Sequence, residues 1–224
     1  MPVEVADLEA VNTAVLRALP RFSIEEQRLG LALYRQLARG RPVPVESVAD
    51  SAGLPAKDAA TLLGRDPLRA LIYRDDQERL VGFAGLAVLP MHHRFAVEGR
   101  QLYTWCAWDS LFLPELLGTP ALVESVCPET GTMIKLSVTP DRIGDVDPSG
   151  AVMSFVLPDA AVLSTTAANV VTSFCHHIFF LASAEAGARW TARHEGTFLL
   201  TLDQAFEMAK RANAATFGAG GNEP

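Results

Sequence analysis

Helical and strand periodicities are segregated along this chain, and no other feature narrows its fold so far. The first eighty residues read as helical, whereas from about Pro90 onward short alternating runs punctuated by glycine and proline take over. In "SIEEQRLGLALYRQLARG", Ser23 is an N-cap candidate with Glu26 three residues on, the two halves of a capping box. Leu29, Leu31, Leu33, Tyr34 and Leu37 form a broad apolar stripe, and Gly40, Pro42 and Pro44 end the helix. A short helix over Val45 to Ser51, a turn at Gly53 and a helix from about Pro55 to Leu63 follow. Two strands then flank a polar turn at Asp75 to Glu78, completing a winged-helix-like pattern.

The second part begins with strand signals in "RFAVEGRQLYTW", with a turn at Gly99, in "TMIKLSVTP" and in "AVMSFVLP". The β-branched and aromatic run "NVVTSFCHHIFFLAS" predicts a further strand, and "TLDQAFEMAKRANAATFG" a closing helix capped by Thr201 or Asp203. The expected fold class is α+β. A winged-helix-like unit (1–88) is expected to precede a core that mixes strands and helices (89–217), with 218–224 a flexible tail. At 49% hydrophobic residues, the 224-residue chain has enough apolar side chains to bury a sizeable core.

Charge and leader signals set limits on partners. The net charge is −7, and residues 1–80 carry 11 basic against 12 acidic side chains, so the helix-turn-helix pattern is expected to serve packing or dimer contacts rather than nucleic acid. The acidic start "MPVEVADLEAV" lacks a secretory pattern. No apolar run reaches membrane-spanning length, so a cytoplasmic protein is expected.

Three cysteines, Cys106, Cys127 and Cys175, are too few for a disulfide scaffold and are expected to be free thiols. In "WCAWDSLF", a helix or tight turn places Cys106 and Asp109 on one face, three residues apart, among Trp105, Trp108, Leu111 and Phe112. Burial there raises the proton affinity of the carboxyl, and a carboxyl beside a thiol can exchange a proton with it. The same pattern fits a hydrogen-bonded or capping aspartate beside an inert cysteine. As strand neighbours, His176 and His177 point to opposite faces, and without metal-ligand spacing they read as core or surface residues. His92 and His93 read as exposed linker residues, and Trp105, Trp108 and Phe155 as core rather than pocket.

Several segments together resemble the organomercurial (alkylmercury) lyases. They are "GRPV" (Gly40 to Val43), "RQLYTWCAWDSLFLPELLG" (Arg100 to Gly118), "SVCPETGTMIKLSVTP" (Ser125 to Pro140), "VMSFVLP" (Val152 to Pro158), "SFCHHIFFLAS" (Ser173 to Ser183) and "HEGTFLLTLDQAFEMAK". The resemblance implies a winged-helix-like N-terminal unit joined to an α+β core of small antiparallel sheets with surrounding helices, and a catalytic set of Cys106, Asp109 and Cys175, with Cys127 structural. It also implies protonolysis of a carbon–mercury bond, giving a hydrocarbon and Hg(II). Mercury would be ligated by Cys106 and Cys175 with Asp109 alongside, and Hg(II) would stay bound as product. No cofactor is implied. External thiols would support turnover, and mercuric reductase or cellular thiols would accept Hg(II). Where some members have a dispensable cysteine after the second catalytic one, this chain has His176. Two rival readings are a cysteine hydrolase using Cys175 with His176, His177 or His194 as base, and a thiol-based metal-sensing DNA-binding regulator.

Overall fold

The capping box forms as the sequence predicts. In the computed structural model, which describes residues 8–218, Ser23 Oγ accepts from the backbone N–H of Glu26 at 3.3 Å. The Ser23 N–H donates to the Glu26 carboxylate at 2.8 Å. These bonds satisfy two N–H groups at the start of α2 (Ile24–Leu37), which follows α1 (Leu8–Ala18). Next come α3 (Val45–Ala52), ended by Gly53 at φ +65°, and α4 (Ala56–Leu63). All but Gly218 of the expected tail lies outside the described residues.

An eight-stranded antiparallel sheet then runs through most of the molecule. Its strands are β1 (Ile72–Arg74), β2 (Leu80–Phe83), β3 (Leu86–Ala87), β4 (His93–Val97), β5 (Arg100–Thr104), β6 (Ala121–Val126), β7 (Met133–Val138) and β8 (Ile143–Asp147). The spatial order is β1-β2-β3-β5-β4-β6-β7-β8. Strand β3 pairs with β2 on one side and β5 on the other, so β1 and β2, the strands on either side of the Asp75 to Glu78 turn, are continuous with the rest of the sheet across residue 88. Helix α5 (Asp109–Leu117) leaves the end of β5 and is closed by Gly118 at φ +64°. Alternation sets the faces: in β6 Ala121, Val123 and Ser125 are buried while Leu122 and Val126 are exposed.

A second, three-stranded sheet has β9 (Val152–Val156) at its centre, between β10 (Phe180–Leu181) and β11 (Thr197–Thr201). Helix α8 (Ala184–Thr191) covers it, and α9 (Leu202–Phe217) starts from a second capping box, Thr201 with Gln204. The buried core joins both sheets to α2, α5 and α9, centred on Tyr34, Phe83, Phe95, Phe155 and Phe180. The architecture is α+β with antiparallel sheets. No helix among the described residues is long and apolar enough to cross a membrane.

The run around Cys175 differs from expectation. Instead of one strand it forms α6 (Ala160–Leu163), α7 (Ala167–Ser173), a 3-10 turn at Cys175–His177, and only then β10. The Thr166 side chain accepts from the Asn169 N–H and caps α7. Ala167, Val170 and Val171 face inward while Ala168, Asn169 and Thr172 are exposed, a helical period that outweighs the strand preference of the valines. His176 and His177 therefore share one turn rather than opposite faces of a strand, His176 exposed and His177 half-buried. His93 also departs from expectation. As the first residue of β4 it is buried, with Nδ1 2.8 Å from Ser125 Oγ on the neighbouring strand.

Candidate functional site

Three separate segments bring the sequence-predicted residues together. Cys106 lies in the connection from β5 to α5, Asp109 is the first residue of α5, and Cys175 opens the turn after α7. One ligand atom from each, two thiol sulfurs and a carboxylate oxygen, lie within 4.8 Å of one another. All three side chains are buried, Cys106 at 0%, Cys175 at 3% and Asp109 at 6% exposure. Neither this group nor any other metal-competent cluster among the described residues contains a histidine.

Backbone hydrogen bonds hold the segments in place. Asp109 Oδ2 accepts from the Cys106 N–H at 2.7 Å, which curls the "WCAWD" turn back on itself. Thr104 Oγ1 donates to Cys106 O at 2.8 Å, and Ser110 Oγ donates to Ala107 O at 2.6 Å. The Ala107 N–H reaches Ile178 O at 3.2 Å and ties the first cysteine segment to the second. From β9, Ser154 Oγ donates to His177 O at 2.8 Å and accepts from the Phe179 N–H at 3.0 Å, fixing the exit of the Cys175 turn. Sequence patterns do not single out Thr104 or Ser154. Their value comes from the backbone groups they hold in the folded chain, and only the buried strand positions of Thr104 and Ser154 hint at it.

Burial dominates the electrostatics. It raises Asp109 from an ordinary 3.8 to about 7, against the pull of hydrogen bonds from the Cys106 thiol and backbone N–H. Burial also pushes the Cys106 thiol well above its usual range, helped by the neighbouring Cys175 thiol and the Asp109 charge. It raises Cys175 too, while the Cys106 thiol partly opposes the rise. Near neutral pH the site is therefore two protonated thiols beside a carboxyl that can either hold or release a proton.

Asp109 and Cys175 line a cavity of about 100 Å³ with apolar walls that include Leu19, Phe22, Trp105, Trp108, Phe112 and Phe174. Trp105 and Trp108, expected as core, thus stand in the cavity wall, while Phe155 lies in the core with its ring centroid 5.3 Å from that of Trp108. Cys127, the third free thiol, is buried, accepts from the Ala182 N–H at 3.4 Å and is not part of the Cys106–Asp109–Cys175 group.

Fold and site together define an α+β protein with a buried two-thiol, one-carboxyl centre at the edge of an apolar cavity, the donor set of a soft-metal chemistry. A family model, MerB: Alkylmercury lyase, matches residues 86–213, a span that contains all three site residues. The chain is 39% identical over 182 residues to an alkylmercury lyase of Staphylococcus epidermidis, covering 81% of this chain and 80% of that one. It is 38% identical over 178 residues to one of Bacillus cereus (80% and 77% covered) and 37% over 180 residues to one of Pseudomonas putida (80% of each). A crystal structure of the mercury-bound form of MerB2 shares the fold, with a TM-score of 0.74 at 22% identity over 93% of this chain and 98% of that one. The chain belongs to the alkylmercury lyase family.

Proposed function

We propose that this protein cleaves the carbon–mercury bond of organomercury cations by protonolysis, with Cys106 and Cys175 taking the mercury and Asp109 carrying the proton. The observation that supports this most directly is the meeting of the two sulfurs and the carboxylate oxygen within 4.8 Å. Mercury(II) is a soft cation whose preferred ligands are thiolates, and here it is the reaction's cargo rather than a resident cofactor. Each thiol must lose a proton to bind it. One proton leaves with the ligand that accompanied the organomercury ion, and the other passes to Asp109. Two thiolates raise the electron density on the mercury-bound carbon. The carbon–mercury bond then breaks with its electron pair going to carbon, and Asp109 delivers the retained proton there. The products are a hydrocarbon and Hg(II) held by both sulfurs.

The environment suits each step. A carboxyl near 7 can act as base toward a thiol and afterwards as acid toward carbon. Apolar walls match an apolar organic group and keep competing water from the site. Product leaves by exchange onto an external dithiol or a mercuric reductase. Dependence on reduced thiols, together with three free cysteines, favours work in the cytoplasm. Family membership sets aside both the hydrolase and the DNA-binding sensor readings.

Incubation with phenylmercury and excess thiol tests the assignment. The wild type should release benzene and Hg(II). Cys106→Ala and Cys175→Ala should lose turnover, and Asp109→Asn should bind mercury without releasing benzene. Full turnover by Asp109→Asn would remove Asp109 from the mechanism.

A further inference from the structure

The turn between β2 and β3, Ala84–Gly85, touches the carboxyl of Asp109 although it lies far from that residue in the chain. Both residues have positive φ, +36° at Ala84 and +98° at Gly85. Ala84 carries a side chain in a region that L-residues seldom occupy, and such backbone persists only where its surroundings enforce it. Here three segments enforce it. The Ala84 N–H donates to Leu71 O at 2.9 Å, the Trp105 N–H donates to Gly85 O at 2.9 Å, and the Tyr34 hydroxyl donates to Ala84 O at 2.8 Å.

The turn is pressed against the reacting acid. A Cβ on Gly85 would stand 2.6 Å from Asp109 Cγ, 2.7 Å from Oδ1 and 2.9 Å from Cβ. No side chain fits there unless the carboxyl moves. One side of the Asp109 carboxyl is therefore covered by the bare Cα of Gly85, while the Cys106 N–H holds Oδ2 at 2.7 Å. No water layer fits between turn and carboxyl. Tyr34 is fully buried on α2, with its ring centroid 4.9 Å from that of Phe83 and 6.0 Å from that of Phe217.

We propose that Tyr34 and Gly85 are positioning residues for the proton-transfer step. Tyr34 holds the Ala84–Gly85 turn, and the glycine face of that turn fixes the Asp109 carboxyl in its working orientation. This gives the N-terminal helices a part in the reaction, through residues that lie ahead of the segment matched by the family model. The inference rests on the lyase reading for its kinetic consequence and on geometry alone for its structural one.

The test compares Gly85→Ala, Tyr34→Phe and Gly99→Ala. Gly99 sits at φ +75°, and a Cβ added there would meet nothing within 4 Å, so its alanine variant carries similar backbone strain without the contact. With phenylmercury, Gly85→Ala should lose about 100-fold in kcat with KM little changed, as for a reacting group displaced by about 1 Å. Tyr34→Phe keeps its ring and should lose about tenfold in kcat by the same loosening. Gly99→Ala should turn over like the wild type. The Hg(II)–thiolate absorption band should form in all three, because the thiols are untouched. Independently of turnover, the infrared C=O stretch of protonated Asp109, identified by its loss in Asp109→Asn, should shift in Gly85→Ala and Tyr34→Phe but not in Gly99→Ala. A Gly85→Ala protein with the kcat of Gly99→Ala, or an unshifted stretch, overturns the proposal; if Gly85→Ala does not fold, Tyr34→Phe with wild-type kcat and stretch does so. A wild type that releases no benzene overturns the lyase reading instead, and the stretch still decides the positioning claim.

Discussion

Replacing Asp109 by Asn should stabilise the protein at alkaline pH while abolishing turnover. Asp109 titrates near 7 in the fold against an ordinary 3.8, and burial is the main cause. Between those values the folded protein keeps a proton that the unfolded chain has released. The stabilisation from that proton is fully present below about pH 4 and is lost as pH rises through about 7. At about 1.4 kcal/mol for each pH unit, the whole loss is roughly 4 kcal/mol, of which about 3 kcal/mol falls between about pH 5 and pH 8. Asp109 is buried, so solvent screening does little to reduce this figure. Asparagine cannot ionise, and its side-chain oxygen can still accept from the Cys106 N–H. The variant's advantage over the wild type should therefore grow by about 3 kcal/mol across that range, or about 1 M in urea midpoint for a chain of this size. Urea unfolding of both proteins under reducing conditions measures it. Stability curves that run parallel from about pH 5 to about pH 8 would show that the carboxyl does not titrate near 7 in the fold, and the match between Asp109 and proton exchange near neutral pH would fall with it.

Three further outcomes can be measured. In the proposed mechanism Asp109 acts first as a base, so kcat/KM for phenylmercury should rise with pH through an inflection near 7, and a flat profile from about pH 5 to about pH 8 would contradict that role. Ser154→Ala leaves His177 O and the Phe179 N–H without their hydroxyl partner, so it should cost about 1–3 kcal/mol in urea unfolding and slow turnover by loosening the Cys175 turn. Thr201→Ala removes the side-chain cap of α9 and should cost about 1 kcal/mol in the same assay with kcat unchanged, since Thr201 touches none of the site residues.

What the sequence reveals about this protein follows the range of each interaction. The Ser23–Glu26 and Thr201–Gln204 capping boxes close within three residues, and both form. The Gly99 hairpin is local in the same sense, with β4 and β5 pairing on either side of it. The closeness of Cys106 and Asp109 also follows from spacing. Their approach to Cys175 does not: it depends on Ala107 reaching Ile178 and on Ser154 gripping the Cys175 turn, contacts between segments far apart in the chain. The same limit explains why a strand is expected where α7 forms. Valine preference is local, but the choice of helix comes from a buried face that exists only once the core is assembled. His93 reads as exposed because its partner, Ser125, stands on another strand.

Gly85 shows how a tertiary contact can hide inside an unremarked turn. In the sequence "GFAGL" reads as part of the strand after the Asp75 to Glu78 turn, and nothing there marks the reversal at Gly85, for which φ +98° would be reason enough. The structure adds a second requirement, because the missing Cβ is also the space occupied by the Asp109 carboxyl. A residue of this kind can satisfy every local rule and still serve the chemistry. The two demands separate only when compared with a glycine such as Gly99, whose turn is similar and whose surroundings are empty. The burial that makes a neutral carboxyl possible is assembled in the same way. It comes from a bare backbone face on one side, a backbone N–H on the other and aromatic walls around them, with no nearby cation among the causes that set its proton affinity.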